Sequence, residues 1–205
     1  MSSKDKYGRY RKKDFLATIR GVQEFLCEKF GYKIKPYLFE TRLGDGCMME
    51  FFHNEYGWGI FYDYKQFKDR FWDLDFDVQE AFAAGIIAHE MRHYYQHRQM
   101  KAVKPKESEE VIEAWWKDEN EMRPFSETGA GREYYLRPME LDAFLFEYIF
   151  VAHFFDMLLL HAIANEEHLN AMEKLHIEYF GETDEDLFGE DIRKAIALRD
   201  APKAD

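Results

Sequence analysis

Thiols are scarce in this chain. Only Cys27 and Cys47 occur among its 205 residues, and they lack the Cys-x-x-Cys spacing of metal or redox motifs. Two lone cysteines and no recognisable signal peptide fit a reducing compartment, so a cytoplasmic location is expected. Also missing is an uninterrupted apolar run long enough to cross a bilayer. The most apolar stretch, Ala143 to Ala164, is broken by Glu147, His153, Asp156 and His161, and membrane partners are not expected. Positive charge is in short supply as well. With 28 Lys and Arg against 40 Asp and Glu, the net charge of -12 argues against a general nucleic-acid binder. One local exception is a basic arm over residues 1–13, with Lys4, Lys6, Arg9, Arg11, Lys12 and Lys13. A solvated terminus is the expectation there, and contact with nucleic acid or an acidic partner is the alternative. No internal repeat or low-complexity segment is present.

What the chain has in quantity is apolar and aromatic surface, 46% and 18% of its residues, enough to bury one sizeable core. A single domain over 14–192 is expected, followed by a frayed tail at 193–205. Residues Asp14 to Phe30 place Phe15, Ile19, Val22, Phe25 and Leu26 at helical spacing, and Gly31 supplies the stop. Three strand-like runs follow: Ile34 to Glu40, Cys47 to His53 and Trp58 to Tyr64. Turn residues at Leu43 to Gly46 and Asn54 to Gly57 suggest an antiparallel meander. Gly59 to Tyr64 suits an edge strand and an interior one equally. The second half reads as helical: Ser108 to Asp118, Pro138 to Ala164, Glu166 to Phe180, and a piece from Ile192, with a loop around Gly129 and Gly131 between the first two. The fold class is therefore α+β: an N-terminal helix, a small, mostly antiparallel sheet, a central helix and a mostly helical C-terminal half.

The central helix carries the chemistry. Val78 to Ala88 is small and apolar and runs without a break into His89-Glu90-Met91-Arg92-His93, an HExxH pentapeptide. Residues four apart on a helix share a face, so both imidazoles can bind one Zn²⁺, while Glu90 stands beside them as a general base for zinc-activated water. A metzincin continuation would need Gly and His where Gln96 and Gln99 stand, so that type is excluded. His97 lies one further turn along, too far for the same ion, and reads as a surface or supporting residue.

A catalytic zinc site normally has three protein ligands. Glu140 is the best candidate for the third. Pro138 opens its helix, and Glu140 shares a stripe with Phe144, Glu147, Val151 and Phe154, where a carboxylate needs a partner. The competing account makes it a first-turn acid favoured by the helix dipole. Asp142 lies on another stripe and could orient an imidazole. An oxyanion donor is also required; Tyr134, Tyr135, Tyr94 and His97 are eligible, and Tyr135 is favoured because it lies just upstream of Glu140. Trp115 and Trp116 suit a core better than a substrate grip.

These motifs resemble the zincin metallopeptidases, specifically the gluzincin type, in which HExxH and a downstream glutamate bind zinc. The spelling Tyr135-x-x-Pro138-x-Glu140-x-Asp142-Ala143, some way after HEMRH, is similar to compact HExxH proteins of phages and mobile elements and, more distantly, to the ImmA/IrrE family. The resemblance covers roughly Gly57 to Phe150. It implies a hydrolase that cleaves a protein or peptide substrate, with His89, His93 and Glu140 as ligands and Glu90 as base. Two other classes stay open. One keeps the zincin shape without catalysis, as an interaction protein that binds a host factor. The other is a di-iron carboxylate protein, suggested by Glu-x-x-His at Glu90/His93, Glu173/His176 and Glu50/His53.

Overall fold

The computed structural model describes residues 10–44, 46–121 and 132–201. Most of the basic arm, the Gly129/Gly131 loop and the last four residues lie outside them. The chain is α+β, with a three-stranded sheet in its N-terminal half and helices throughout its C-terminal half. It divides into two compact units, residues 1–103 and 104–205.

The first unit begins with α1, Lys12–Phe30. Gly31 adopts φ 77, and the amides of Gly31 and Tyr32 bond the carbonyls of Glu28 and Cys27, which satisfies the helix end expected from the sequence. Phe15, Ile19 and Leu26 are buried, and α1 lies along the central helix, α3. Strands β1 (Tyr37–Glu40), β2 (Met49–Asn54) and β3 (Gly57–Tyr62) come next, followed by a short helix, α2 (Tyr64–Phe71), and by α3 (Phe76–Met100). Helix α2 was not foreseen. Its signal is Asp63, whose side chain accepts from the amides of Lys65 and Gln66.

The sheet order is β1-β3-β2, with β1 parallel to β3 and β2 antiparallel to it. This corrects the expected antiparallel meander: the sheet is mixed, and the Gly59 to Tyr64 run supplies its central strand. The reason lies in the connection after β1. The Gln66 side chain donates to the carbonyls of Leu43 and Gly44 and accepts from the Gly46 amide, while Asp63 accepts from Leu43. These bonds hold the connection at the start of α2, and β2 joins the far side of β3. The expected second turn is present, with Asn54 Oδ1 accepting from the amides of Tyr56 and Gly57. Gly57 sits at φ 145, a backbone conformation closed to most side chains.

Helix α3 stays buried along most of its length. Ala81, Ala83, Ala84 and Ala88 are fully covered. Its C-terminal half is polar but bonded: Tyr94 Oη donates to the Ile34 carbonyl (2.7 Å) and Gln99 donates to Tyr32 Oη (2.8 Å). These bonds allow polar side chains to be buried without the cost of an orphaned group.

In the second unit, α4 (Glu109–Glu121) is followed by α5 (Arg132–Tyr135), α6 (Pro138–Phe155), α7 (Glu166–Phe180), α8 (Glu185–Phe188) and α9 (Glu190–Asp200). Leu145, Tyr148, Ile163, Leu169, Met172, Phe188 and Ile192 belong to its core. Trp115 is buried, as a core role requires, whereas Trp116 is 39% exposed. Helix α6 ends at Asp156, φ 51, well before Ala164. The carbonyls of Leu160, Ile163 and Ala164 accept from the Arg199 guanidinium instead, so the chain leaves the helix without orphaning them. Because α9 continues to Asp200, residues 193–200, expected to fray, are helical. No described helix is long and apolar enough to cross a membrane.

Candidate metal centre

Helix α3 brings His89 and His93 together, as their spacing requires. Their Nε2 atoms are 3.1 Å apart, with the ring planes at 80°. Two nitrogens bound to one tetrahedral zinc at its usual bond length are separated by about 3.3 Å, so the pair fits a shared ion. His93 Nδ1 lies 2.8 Å from Gln96 Oε1. Gln96 is fully buried, and an amide oxygen can only accept, so this contact favours the His93 tautomer that carries its proton on Nδ1. Gln96 escaped the sequence reading, which used it only to exclude the metzincin pattern. Its position three residues after His93, on the same side of the helix, was the available signal.

Glu90 is 7% exposed, and its Oε2 accepts the Phe51 amide of β2 at 2.7 Å. Strand β2 is an edge of the sheet, so this carboxylate takes the place of a neighbouring strand at that amide. Phe51 was not anticipated, because a main-chain donor leaves no mark in the sequence.

No protein-family model, curated protein or solved structure matches the chain. Buried histidine and glutamate groups that could hold a metal ion are present among the described residues.

Glu140 belongs to the second unit, in the first turn of α6, and is buried. Asp118 of α4 fixes the start of that helix: its carboxylate accepts from Arg137 Nε at 2.7 Å and from the Met139 amide at 3.0 Å. Asp142 accepts from Tyr179 Oη at 2.9 Å. The Tyr135 ring is half-buried, 5.4 Å from each of the Phe144 and His168 rings. His168 is fully buried, and its Nδ1 accepts from the Ala164 amide. Among the other oxyanion candidates, Tyr94 is engaged by Ile34 and Arg98, and burial pushes its hydroxyl pKa up.

His97 is not at the helix surface. It is 4% exposed, with its ring 4.3 Å from that of His53 and 5.1 Å from that of Phe51. Burial first, then the neighbouring His53, His93 and Lys101, lower its pKa from 6.5 to about 3. At neutral pH it is an uncharged imidazole.

Of the three Glu-x-x-His spacings, Glu50/His53 falls on β2 and Glu173 is bonded to Arg193 at 2.7 Å. A di-iron bundle needs these groups on helices with their carboxylates facing metal.

Proposed function

We propose that the chain is a zinc-dependent metallopeptidase of the gluzincin type, with His89, His93 and Glu140 as ligands. The observation that carries this reading is the opposed Nε2 pair of His89 and His93, with Gln96 fixing one tautomer. The donor set of two imidazoles and a carboxylate suits zinc, which when bound supplies a Lewis acid for a scissile carbonyl and lowers the pKa of a water.

The remaining chemistry falls to the protein. Glu90 takes the proton of the attacking water and passes it to the departing amine as the peptide bond breaks. The Phe51 amide donates to Oε2, which helps to keep the carboxylate in one orientation. Tyr135 is the proposed donor to the oxygen that gains charge, and a protein or peptide is the proposed substrate.

The same Phe51 bond favours a second reading. A glutamate used to tie a helix to a sheet edge is also what a non-catalytic interaction protein of this shape would need. Glu90→Gln separates the two. The amide retains an acceptor for Phe51 and should keep zinc at full stoichiometry. As a metallopeptidase the variant should lose at least about 10²-fold in peptide hydrolysis. Full hydrolysis by a clean preparation would remove Glu90 from the mechanism. Zinc binding with no hydrolysis in either protein, on a broad peptide library, would favour the interaction reading.

A further inference from the structure

Four histidines lie in residues 1–103, and the motif uses two of them. We propose that the other two, His53 and His97, form a second metal-binding pair, which takes a divalent ion of the zinc, nickel or copper type and ties strand β2 to helix α3.

The pleat of β2 sets up the pair. Residues two apart on a strand share a face, so Phe51 and His53 point one way and Phe52 the other. Phe52 stacks on Phe61 with ring centroids 4.0 Å apart. Phe51 and His53 meet α3, where the Phe51 ring lies 6.2 Å from Tyr94 and the His53 ring lies 4.3 Å from His97. A ring nitrogen of His53 and one of His97 are within 4.8 Å of each other. Two nitrogens on a shared tetrahedral ion lie about 3.3 Å apart, so a bound ion would set the His53–His97 spacing near that value.

The surroundings favour an ion held by imidazole. Phe51 and Trp58 flank His53 and His97, with Trp58 5.7 Å from His53 and 6.3 Å from His97. These walls limit competition from water. Two imidazole donors select zinc, nickel or copper over magnesium or calcium, and water or oxygen ligands can fill the remaining positions. Lys101 opposes a cation. Lys101 Nζ lies 4.7 Å over the Trp58 ring, but its side chain is exposed and can swing into solvent.

The pair lies apart from the first centre in its donors, so the two can be tested independently. Metal-free full-length protein is titrated with Zn²⁺ and bound metal is counted by equilibrium dialysis. Wild type should take two equivalents, His53→Phe one and His89→Ala one. Phenylalanine keeps a ring against Phe51 and Trp58; His53→Gln, smaller and polar, serves as a second probe of the same ligand. Two equivalents retained by both His53 variants would overturn the proposal. So would a single equivalent in wild type that neither variant disturbs, which leaves the metallopeptidase reading standing. A single equivalent lost with His53→Phe yet kept by His89→Ala would support this pair and remove the HExxH centre instead.

Discussion

The Phe51 amide donates to Glu90 Oε2 over 2.7 Å, which bonds the residue next to His89 directly to an outer strand. Glu90 is therefore part of the fold as well as a candidate base. Hydrogen bonds to a charged acceptor are worth more than neutral ones, and a buried donor left without a partner adds its desolvation cost. In metal-free protein, Glu90→Ala should destabilise by about 1–3 kcal/mol, and Glu90→Gln by less, since its carbonyl still accepts. Urea denaturation of both variants checks this; equal losses would mean that the Phe51 bond contributes nothing.

Gln96 lends itself to a similar comparison. A group that fixes the far nitrogen of a ligating histidine typically changes metal affinity by about 10–100-fold. Gln96→Leu should weaken zinc binding by that factor. Gln96→Glu, which keeps an acceptor beside His93 Nδ1 and adds charge, should bind at least as tightly as wild type. Competition with a chromophoric chelator measures both constants, with circular dichroism to confirm that the helix is intact. Unchanged affinity in the leucine variant would show that His93 needs no help to orient.

How much of this was legible in the sequence depends on the range of the interaction. Helix α1 and its Gly31 stop, the Asn54 to Gly57 turn, helix α7 and the face shared by His89 and His93 follow from spacings of four residues or fewer, and the pattern displayed them. Strand order did not show, because Gln66 reaches across more than twenty residues to hold Leu43 and Gly44. The stretch after α6 did not show either: the carbonyls of Leu160 and Ile163 accept from Arg199, more than thirty residues away. Within the candidate centre, the two histidines were legible, but the hydrogen bond to Glu90 and the ring contact with His97 come from β2 and have no local signature.

Asp118 and Arg137 form the ion pair on which the start of α6 rests. The Asp118 side chain is 5% exposed and Arg137 20%, so removing the carboxylate leaves a partly buried guanidinium and the Met139 amide without that acceptor. Breaking a buried pair from one side costs about 3–5 kcal/mol. Asp118→Ala should fall near the lower end of that range because Arg137 retains some solvent, and Asp118→Asn should cost less, since it can still cap Met139. Denaturant unfolding, with the C-terminal helices followed by circular dichroism, measures the difference. If Asn and Ala are equally harmful, the charge on Asp118 matters more than its cap.

The pH dependence follows from His97. Burial, then His53, His93 and Lys101, lower its pKa from 6.5 to about 3, so between those values the unfolded chain binds a proton that the folded protein does not. Stability rises with pH wherever the unfolded state holds more protons. In metal-free protein, the contribution of a neutral His97 is therefore complete above pH 6.5, declines as the pH falls through the window, and levels off below about 3. Each unit of pH inside the window costs up to about 1.4 kcal/mol. Carboxylates titrate at the acid end of the same range, so the diagnostic is a difference between proteins. His97→Phe, which cannot be protonated and preserves a ring against Phe51, should lose less stability than wild type between pH 6.5 and 5. Parallel curves over that interval would mean that His97 takes up its proton as readily in the folded protein as in the unfolded chain.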